Sequence, residues 1–426
     1  MKNIIFLSLV SFFFLIEPSH AQIEINESNY GLDRADFLDS TIAGTFIGTP
    51  GGTRWTQIKF NMRKRKIRGF SSFMKIRYHQ SLCGRKSNHL IFIIPGIGAK
   101  ASNGRSNYFA HAFKQKCYDV VILPSAFTSQ FVITASKNGI VGDSQQDARD
   151  YYELLKYTRN YLYRTRSHRY SEFSIFSFSL GSLHSAHIAK LDKKERAFNF
   201  KKVLLINPPN DLLKSLTDID AMVRQGRGIS SRRKFKIFYK MAKNMWAKYR
   251  YRFNPSQYKI FLNRVKTLHP REKKYLIGMG LTITLDEVIL SSQGVMQYDR
   301  GRDLGVLPPS RYEEAREEAA KNYTMLDYVY KFVMPFKRRF EGVYATDAEL
   351  NYTFGLSSLE KFFGQSDNIY LFHNLDDFLL TKGDIGFYSD TLRSKFTLYP
   401  HGGHCGNMWF TMNINSYINT MTNDMI

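Results

Sequence analysis

Long apolar runs are almost absent from this sequence. After residue 21 no stretch approaches the ~18 uninterrupted apolar residues of a membrane-crossing helix, so a soluble mature chain is expected. Cysteine is equally scarce, three in 426 residues. None stands just after position 21, which speaks against a lipid-anchored N-terminus. His401, His404 and Cys405 have ligand-like spacing, but no second cluster of His, Cys or acid completes a zinc site, so no metal is expected. Gly96 and Gly98 lack the third glycine and the ribose-binding acid of a dinucleotide fingerprint, and no cofactor is expected either. Internal repeats, low-complexity tracts and nucleic-acid recognition modules are missing too, which leaves no specific nucleic-acid partner.

Acidic residues are few. Asp and Glu number 37 against 61 Lys and Arg, a net charge of +24. The excess is local: residues 224–274 carry 17 Lys or Arg against the single acid Glu272, and residues 59–77 carry eight against none. Those two segments equal the whole net charge, and a surface of this kind argues for an anionic partner or a negatively charged membrane face. Phe235, Phe238, Met241, Met245, Trp246 and Tyr249 fall on one helical arc, with Lys236, Lys240, Lys243 and Arg250 opposite. A helix of this kind can lie on an anionic membrane, close over a site, or pack as ordinary structure with a solvated basic face. Hydrophobic content of 43% and aromatic content of 15% exclude a disordered chain.

The N-terminus is a separate matter. Lys2, an apolar run over 4–16 broken only by Ser8 and Ser11, and the small residues Ser19 and Ala21 form the pattern of a secretory signal cleaved after Ala21. The competing reading, a membrane anchor, has too short a run. The expected location is periplasmic or extracellular, an oxidising setting for cysteine. Cys83 and Cys117 flank a predicted strand and the helix after it, so they can pair and leave Cys405 over, although spacing does not fix the connectivity.

Residues 22–42 read as a polar arm, and early strands are expected between 46 and 78, broken at 49–52. Short apolar runs at 89–94, 118–123, 173–178 and 202–207 alternate with helical patterns at 106–116, 144–163 and after 179. Near-continuous apolar strands separated by helices mean an α/β fold with a mostly parallel sheet covered on both faces. After Asn207 the alternation stops, and 211–363 reads as a mainly helical, basic insertion. It resumes with strands at 368–373 and 395–399 and an amphipathic helix from Asn407. The expected divisions are a signal over 1–21, a core over 22–210, the insertion over 211–363, and the rest of the core over 364–426.

The most telling residues are Ser177, Phe178, Ser179, Leu180 and Gly181, at the junction of an apolar strand and an alanine-bearing helix. A nucleophile on such a turn needs small residues two places before and after it, because strand and helix cross closely there. Ser177 and Gly181 meet that need, and the Leu180 N–H lies at the helix N-terminus, able to stabilise a negative oxygen. This resembles the nucleophile elbow of the α/β-hydrolase family, with Ser177 where the usual motif has its first glycine. The resemblance covers about 70–210 and 364–426; it does not extend to the middle, and in this family an insertion there forms a cap.

The family order is nucleophile, acid, histidine. Asp376 and Asp377 follow one predicted strand, and His401 and His404 follow the next, at the strand ends where open α/β sheets build sites. The resemblance implies Ser179, Asp377 and His404 as the catalytic set, with Asp376 and His401 as competitors for the acid and the base. It also implies an oxyanion hole from the Ile97 and Leu180 N–H groups, the first on the loop after the strand at 89–94. Cys405 has no elbow to present it as a nucleophile. The implied activity is that of an exported serine hydrolase, esterase- or lipase-like, cleaving a carboxylic ester or other acyl bond in a small or lipid-like substrate through an acyl-enzyme. Peptidases, thioesterases and acyltransferases share the same residues. The competing reading is a non-catalytic protein of this fold that binds an anionic membrane or envelope surface through its basic cap.

Overall fold

A computed structural model describes residues 23–45, 54–83, 87–166, 169–237, 239, 255–301, 306–307 and 313–422. The leader expected over 1–21 lies outside them. So does the amphipathic arc of the basic segment, apart from Phe235, whose ring is exposed.

Among the described residues nine strands form one sheet: β1 (Ile23–Glu24), β2 (Thr56–Phe60), β3 (Met74–His79), β4 (His89–Ile94), β5 (Asp119–Ile122), β6 (Glu172–Phe178), β7 (Lys202–Ile206), β8 (Ile369–Asn374) and β9 (Phe396–Tyr399). Their order is β1-β9-β8-β7-β6-β4-β5-β3-β2. All neighbours are parallel except at one edge, where β3 runs antiparallel to both β5 and β2. The central strands are apolar along their length and buried on both faces, as parallel strands under two helical layers must be.

The helices that matter below are α1 (Phe37–Gly44), α2 (Gly104–Gln115), α3 (Ser144–Arg166), α4 (Leu180–Glu195), α5 (Leu212–Arg224), α6 (Pro255–Lys266), α7 (Pro270–Leu281), α8 (Leu285–Arg300) and α9 (Thr411–Thr422). Side chains alternate across each strand, so β6 sends Phe176 and Phe178 to one face and Phe173 and Ile175 to the other. On the first face α2 and α9 supply Phe109, Phe113 and Tyr417, and the Phe176 ring lies 4.6 Å from that of Phe109 and 5.3 Å from that of Phe113. On the second face α3 and α4 supply Tyr151, Leu155, Leu183 and Ile188. Truncating a fully buried ring such as Phe176 to Ala would cost about 3–5 kcal/mol.

The sheet register sets the stage for chemistry. Ile94 pairs with Ser177, Phe178 with Ile206, and Asn374 with Tyr399, so β4, β6, β7, β8 and β9 end in step. The chain leaves β4 towards β5 and leaves β6 towards β7, in opposite directions across the sheet. The crevice between β4 and β6 is therefore the switch point where open α/β sheets bind ligands.

Between Ile206 and Ile369 the described residues are mainly helical, with no strand among them. Helices α5 and α7 cross closely, since a Cβ on Gly278 would meet the Val223 nitrogen at 2.6 Å. The segment 270–300 has the length and apolarity of a membrane-crossing helix, but it breaks at 282–284 between α7 and α8, and half of it is buried in the fold, as core helices are.

Three readings need correction. The polar arm over 22–42 is structural: β1 adds a parallel strand beside β9, and α1 is buried along nearly its whole length. Polar composition misled because Asp39, Ser40 and Thr41 find partners inside, Asp39 as a 2.5 Å ion pair with Lys273 of α7. The last helix starts at Thr411 rather than Asn407, because residues 407–410 turn to close the histidine loop. The basic segments are also partly internal. Arg65 is 4% exposed, pairs with Asp299 at 2.5 Å and donates to the Ser136 carbonyl at 2.6 Å, and Lys273 is buried against Asp39. Cys83 and Cys117 are joined in a disulfide, and Cys405 is free and buried.

Candidate active site

Ser179 stands between β6 and α4 with φ 55° and ψ −134°, a conformation that L residues avoid. The strand holds it on one side, its N–H donating to the Ile206 carbonyl at 2.8 Å. The helix holds it on the other, its carbonyl accepting from the Ser182 N–H at 2.8 Å. Gly181 is obligatory, because a Cβ there would lie 2.3 Å from the Ile94 carbonyl oxygen and 2.5 Å from that of Pro95. Ser177 tolerates its side chain because the hydroxyl donates to the Leu204 carbonyl at 2.9 Å, so a buried polar group is satisfied where a glycine would have none.

Ser179 Oγ lies 2.8 Å from His404 Nε2, and His404 Nδ1 lies 2.8 Å from Asp377 Oδ2. With Nδ1–H donated to the carboxylate, the Nε2 lone pair faces the hydroxyl. The two aspartates divide their work. Asp376 Oδ1 accepts from the Gly403 N–H at 2.8 Å and so holds the histidine loop, while Asp377 orients the ring. His401 is turned away, with Nε2 3.4 Å from Glu27 and its ring edge-on to Tyr30.

Electrostatics separates the two carboxyls. Burial pushes Asp377 up, but the His404 charge and hydrogen bond, with His373 and the Leu379 N–H, outweigh it and hold the carboxyl below its ordinary value. Burial dominates at Asp376 and raises it to about 6. Burial also raises the Cys405 thiol to about 12, which keeps it protonated and unreactive.

Residues that the sequence did not single out complete the arrangement. Asn207, in a left-handed conformation at the end of β7, donates to Asp377 Oδ2 at 2.8 Å. Thr41 of α1 accepts from the His404 N–H at 2.8 Å, and Gly403 passes so close that a Cβ would lie 2.3 Å from the Phe37 carbonyl oxygen. A strand-end asparagine before Pro208 and Pro209 was the one signal available for Asn207; nothing local marked Thr41.

Gly96 brings the loop after β4 against Ser179, since a Cβ there would meet Ser179 Cβ at 2.9 Å and Oγ at 3.2 Å. Ile97 follows it, and the Leu180 N–H, in the first turn of α4, has no intrahelical acceptor. Two cavities meet at Ser179. One, of about 440 Å³, is lined by Gly96, Ile97, Ser179, His404 and Arg105 and is roofed by Ile277 and Leu281 of α7. The other, of about 50 Å³, is lined by Leu180, Leu212, Leu216 and Tyr328 among others, and reaches the buried Asp147–His184 pair, 3.3 Å apart.

A mostly parallel sheet, a serine elbow after β6, an acid after β8 and a histidine after β9 now stand in one frame. The chain has the α/β-hydrolase fold. No family model matches the sequence, and no curated protein matches it. Among solved structures, the chain is similar to a protein of Legionella pneumophila described as a hydrolase, at 8% identity and a TM-score of 0.47 over 91% of this chain and 95% of that one. A protein of Pseudomonas aeruginosa described as a hydrolytic enzyme gives 12% identity and a TM-score of 0.44 over 90% and 100% of the two chains. The peroxisomal α/β-hydrolase Lpx1 of Saccharomyces cerevisiae gives 11% and 0.40 over 88% and 91%.

Proposed function

We propose that this protein is a serine hydrolase that cleaves a carboxylic ester or a related acyl bond through an acyl-enzyme on Ser179. The observation that carries the reading is the unbroken relay of two 2.8 Å contacts from Ser179 Oγ to His404 and from His404 to Asp377. A serine hydroxyl is a poor nucleophile until a base takes its proton, and this relay supplies a base already oriented by an acid.

In the first half-reaction His404 Nε2 takes the Ser179 proton as Oγ bonds to the acyl carbon. The Ile97 and Leu180 N–H groups receive the negative oxygen. The tetrahedral species collapses, the bond to the leaving alcohol breaks, and His404 gives its proton to that alcohol. Water then attacks the acyl carbon with His404 again as base, releasing the acid and restoring Ser179. Asp377, held below its ordinary pKa, stays ionised and stabilises the imidazolium in both steps. Export of the mature chain, and a basic cap facing an anionic surface, belong to the same reading and rest on the leader pattern and the charge clusters.

A fluorophosphonate reagent tests it. Ser179 is expected to be the residue labelled, and Ser179→Ala should lose both the label and several orders of magnitude in ester hydrolysis. Labelling at another serine, or an active Ser179→Ala variant, overturns the proposal.

A further inference from the structure

Arg105, in the first turn of α2, lines the larger cavity together with Ser179 and His404. Its guanidinium lies 5.4 Å from the ring centroid of Phe178, the residue before the nucleophile. One Nη donates to the Gly44 carbonyl at 2.9 Å, and Nε is buried with no acceptor. Among the described residues no carboxylate pairs with it, whereas Arg65, Arg233 and Lys273 each have an acid within 2.6 Å. A half-buried cation without a counter-ion is costly, so it persists where something else supplies the charge. Burial pulls the Arg105 pKa down, yet a guanidinium stays charged throughout the physiological range.

The two cavities also differ in their relation to the base. His404 lines the large one and is absent from the lining of the small one, which is apolar around Leu180, Leu212 and Leu216. The histidine must give its proton to the departing alcohol, so the alcohol belongs in the large cavity and the acyl chain in the small one. A volume of about 50 Å³ is roughly a third of the ~150 Å³ of an apolar cavity that takes up a benzene ring. The acyl chain is therefore short.

We propose that Arg105 is an anion-binding residue of the leaving-group site, and that the substrates are short-chain esters whose alcohol carries a phosphate or a carboxylate. The inference rests on the hydrolase reading above. A guanidinium offers a forked pair of N–H donors to either anion, and such charge-assisted contacts are the strong ones.

The test compares kcat/KM for 1-butyryl-glycerol 3-phosphate with that for the neutral 1-butyryl-glycerol, in wild type, Arg105→Gln and Arg105→Lys. Wild type should favour the anionic ester by about tenfold or more, and Arg105→Gln should bring the ratio near one, with part of it restored in Arg105→Lys. Inhibition of wild type by glycerol 3-phosphate, by glycerate and by glycerol reads the same site without any variant. Phosphate and carboxylate are told apart by which of the two anions inhibits more tightly, with glycerol inert. A wild type that is labelled by fluorophosphonate and cleaves both esters at equal kcat/KM overturns the inference and leaves the hydrolase. A wild-type preference that survives Arg105→Gln removes Arg105 from the role. Absence of both labelling and turnover overturns the hydrolase reading, and this inference with it.

Discussion

Gly96→Ala isolates the geometry of the site from the stability of the fold. Carbon atoms in ordinary contact sit ~3.5–4.0 Å apart. A Cβ on Gly96 would lie 2.9 Å from Ser179 Cβ and 3.2 Å from Oγ, so something must give by roughly 0.6–1 Å. Ser179 has little room, because strand and helix pin its backbone on both sides. The loop carrying Ile97 must then retreat, which carries the proposed oxyanion donor away from Ser179. Misplacement of about 1 Å in a reacting constellation costs on the order of 10²-fold, or about 2.7 kcal/mol in the barrier. The assay is kcat/KM on p-nitrophenyl butyrate, alongside the rate of fluorophosphonate labelling and the thermal midpoint. Activity and labelling should fall together by about 10²-fold, with the midpoint shifted by no more than a few degrees. Wild-type kcat/KM in a folded Gly96→Ala protein would show that this loop does not contribute to the site, and the oxyanion assignment of Ile97 would go with it.

Other outcomes follow from the same contacts. Asp377→Asn should lower kcat far more than Asp376→Asn, because only Asp377 reaches the imidazole; a steady-state comparison showing the reverse order would exchange their roles. Reducing the Cys83–Cys117 disulfide, which joins residues 34 apart in sequence, should remove about 3–4 kcal/mol of stability by the chain-entropy argument, visible as a lower denaturant midpoint in Cys83→Ser/Cys117→Ser. Burial raises Asp376 to about 6 and Asp150 to about 7, so the folded state holds these protons more tightly than the unfolded chain does. Stability from this pair is therefore full below pH ~4 and falls as pH rises towards ~7, and Asp376→Asn or Asp150→Asn should flatten that slope in pH-dependent denaturation. A steeper slope in either variant would reverse the assigned sign.

How much could be read in advance differs from residue to residue, for physical reasons. The strands at β4, β6 and β7 announced themselves because a parallel strand under two helical layers must be apolar along its length, a local property of the chain. The elbow was legible for the same kind of reason, since Gly181 answers a close crossing made by its own neighbours. The aspartates and histidines were placed at the right strand ends, but their partners were not. Asp376 and Asp377 differ by one position in the chain, and only the turn after β8 sends one to Gly403 and the other to His404. Thr41 looked like part of a polar arm until α1 folded onto the histidine loop, 363 residues away in sequence. The positive charge told a similar story: composition counted Arg65, Lys273 and Arg105 alike, whereas among the described residues the tertiary structure gave the first two an acid and the third none, beside Ser179. Local chemistry sets which elements form, because hydrophobic period and turn sterics act over a few residues. Pairing of charges and donors is decided by packing, because it depends on which distant segments the sheet brings to one edge.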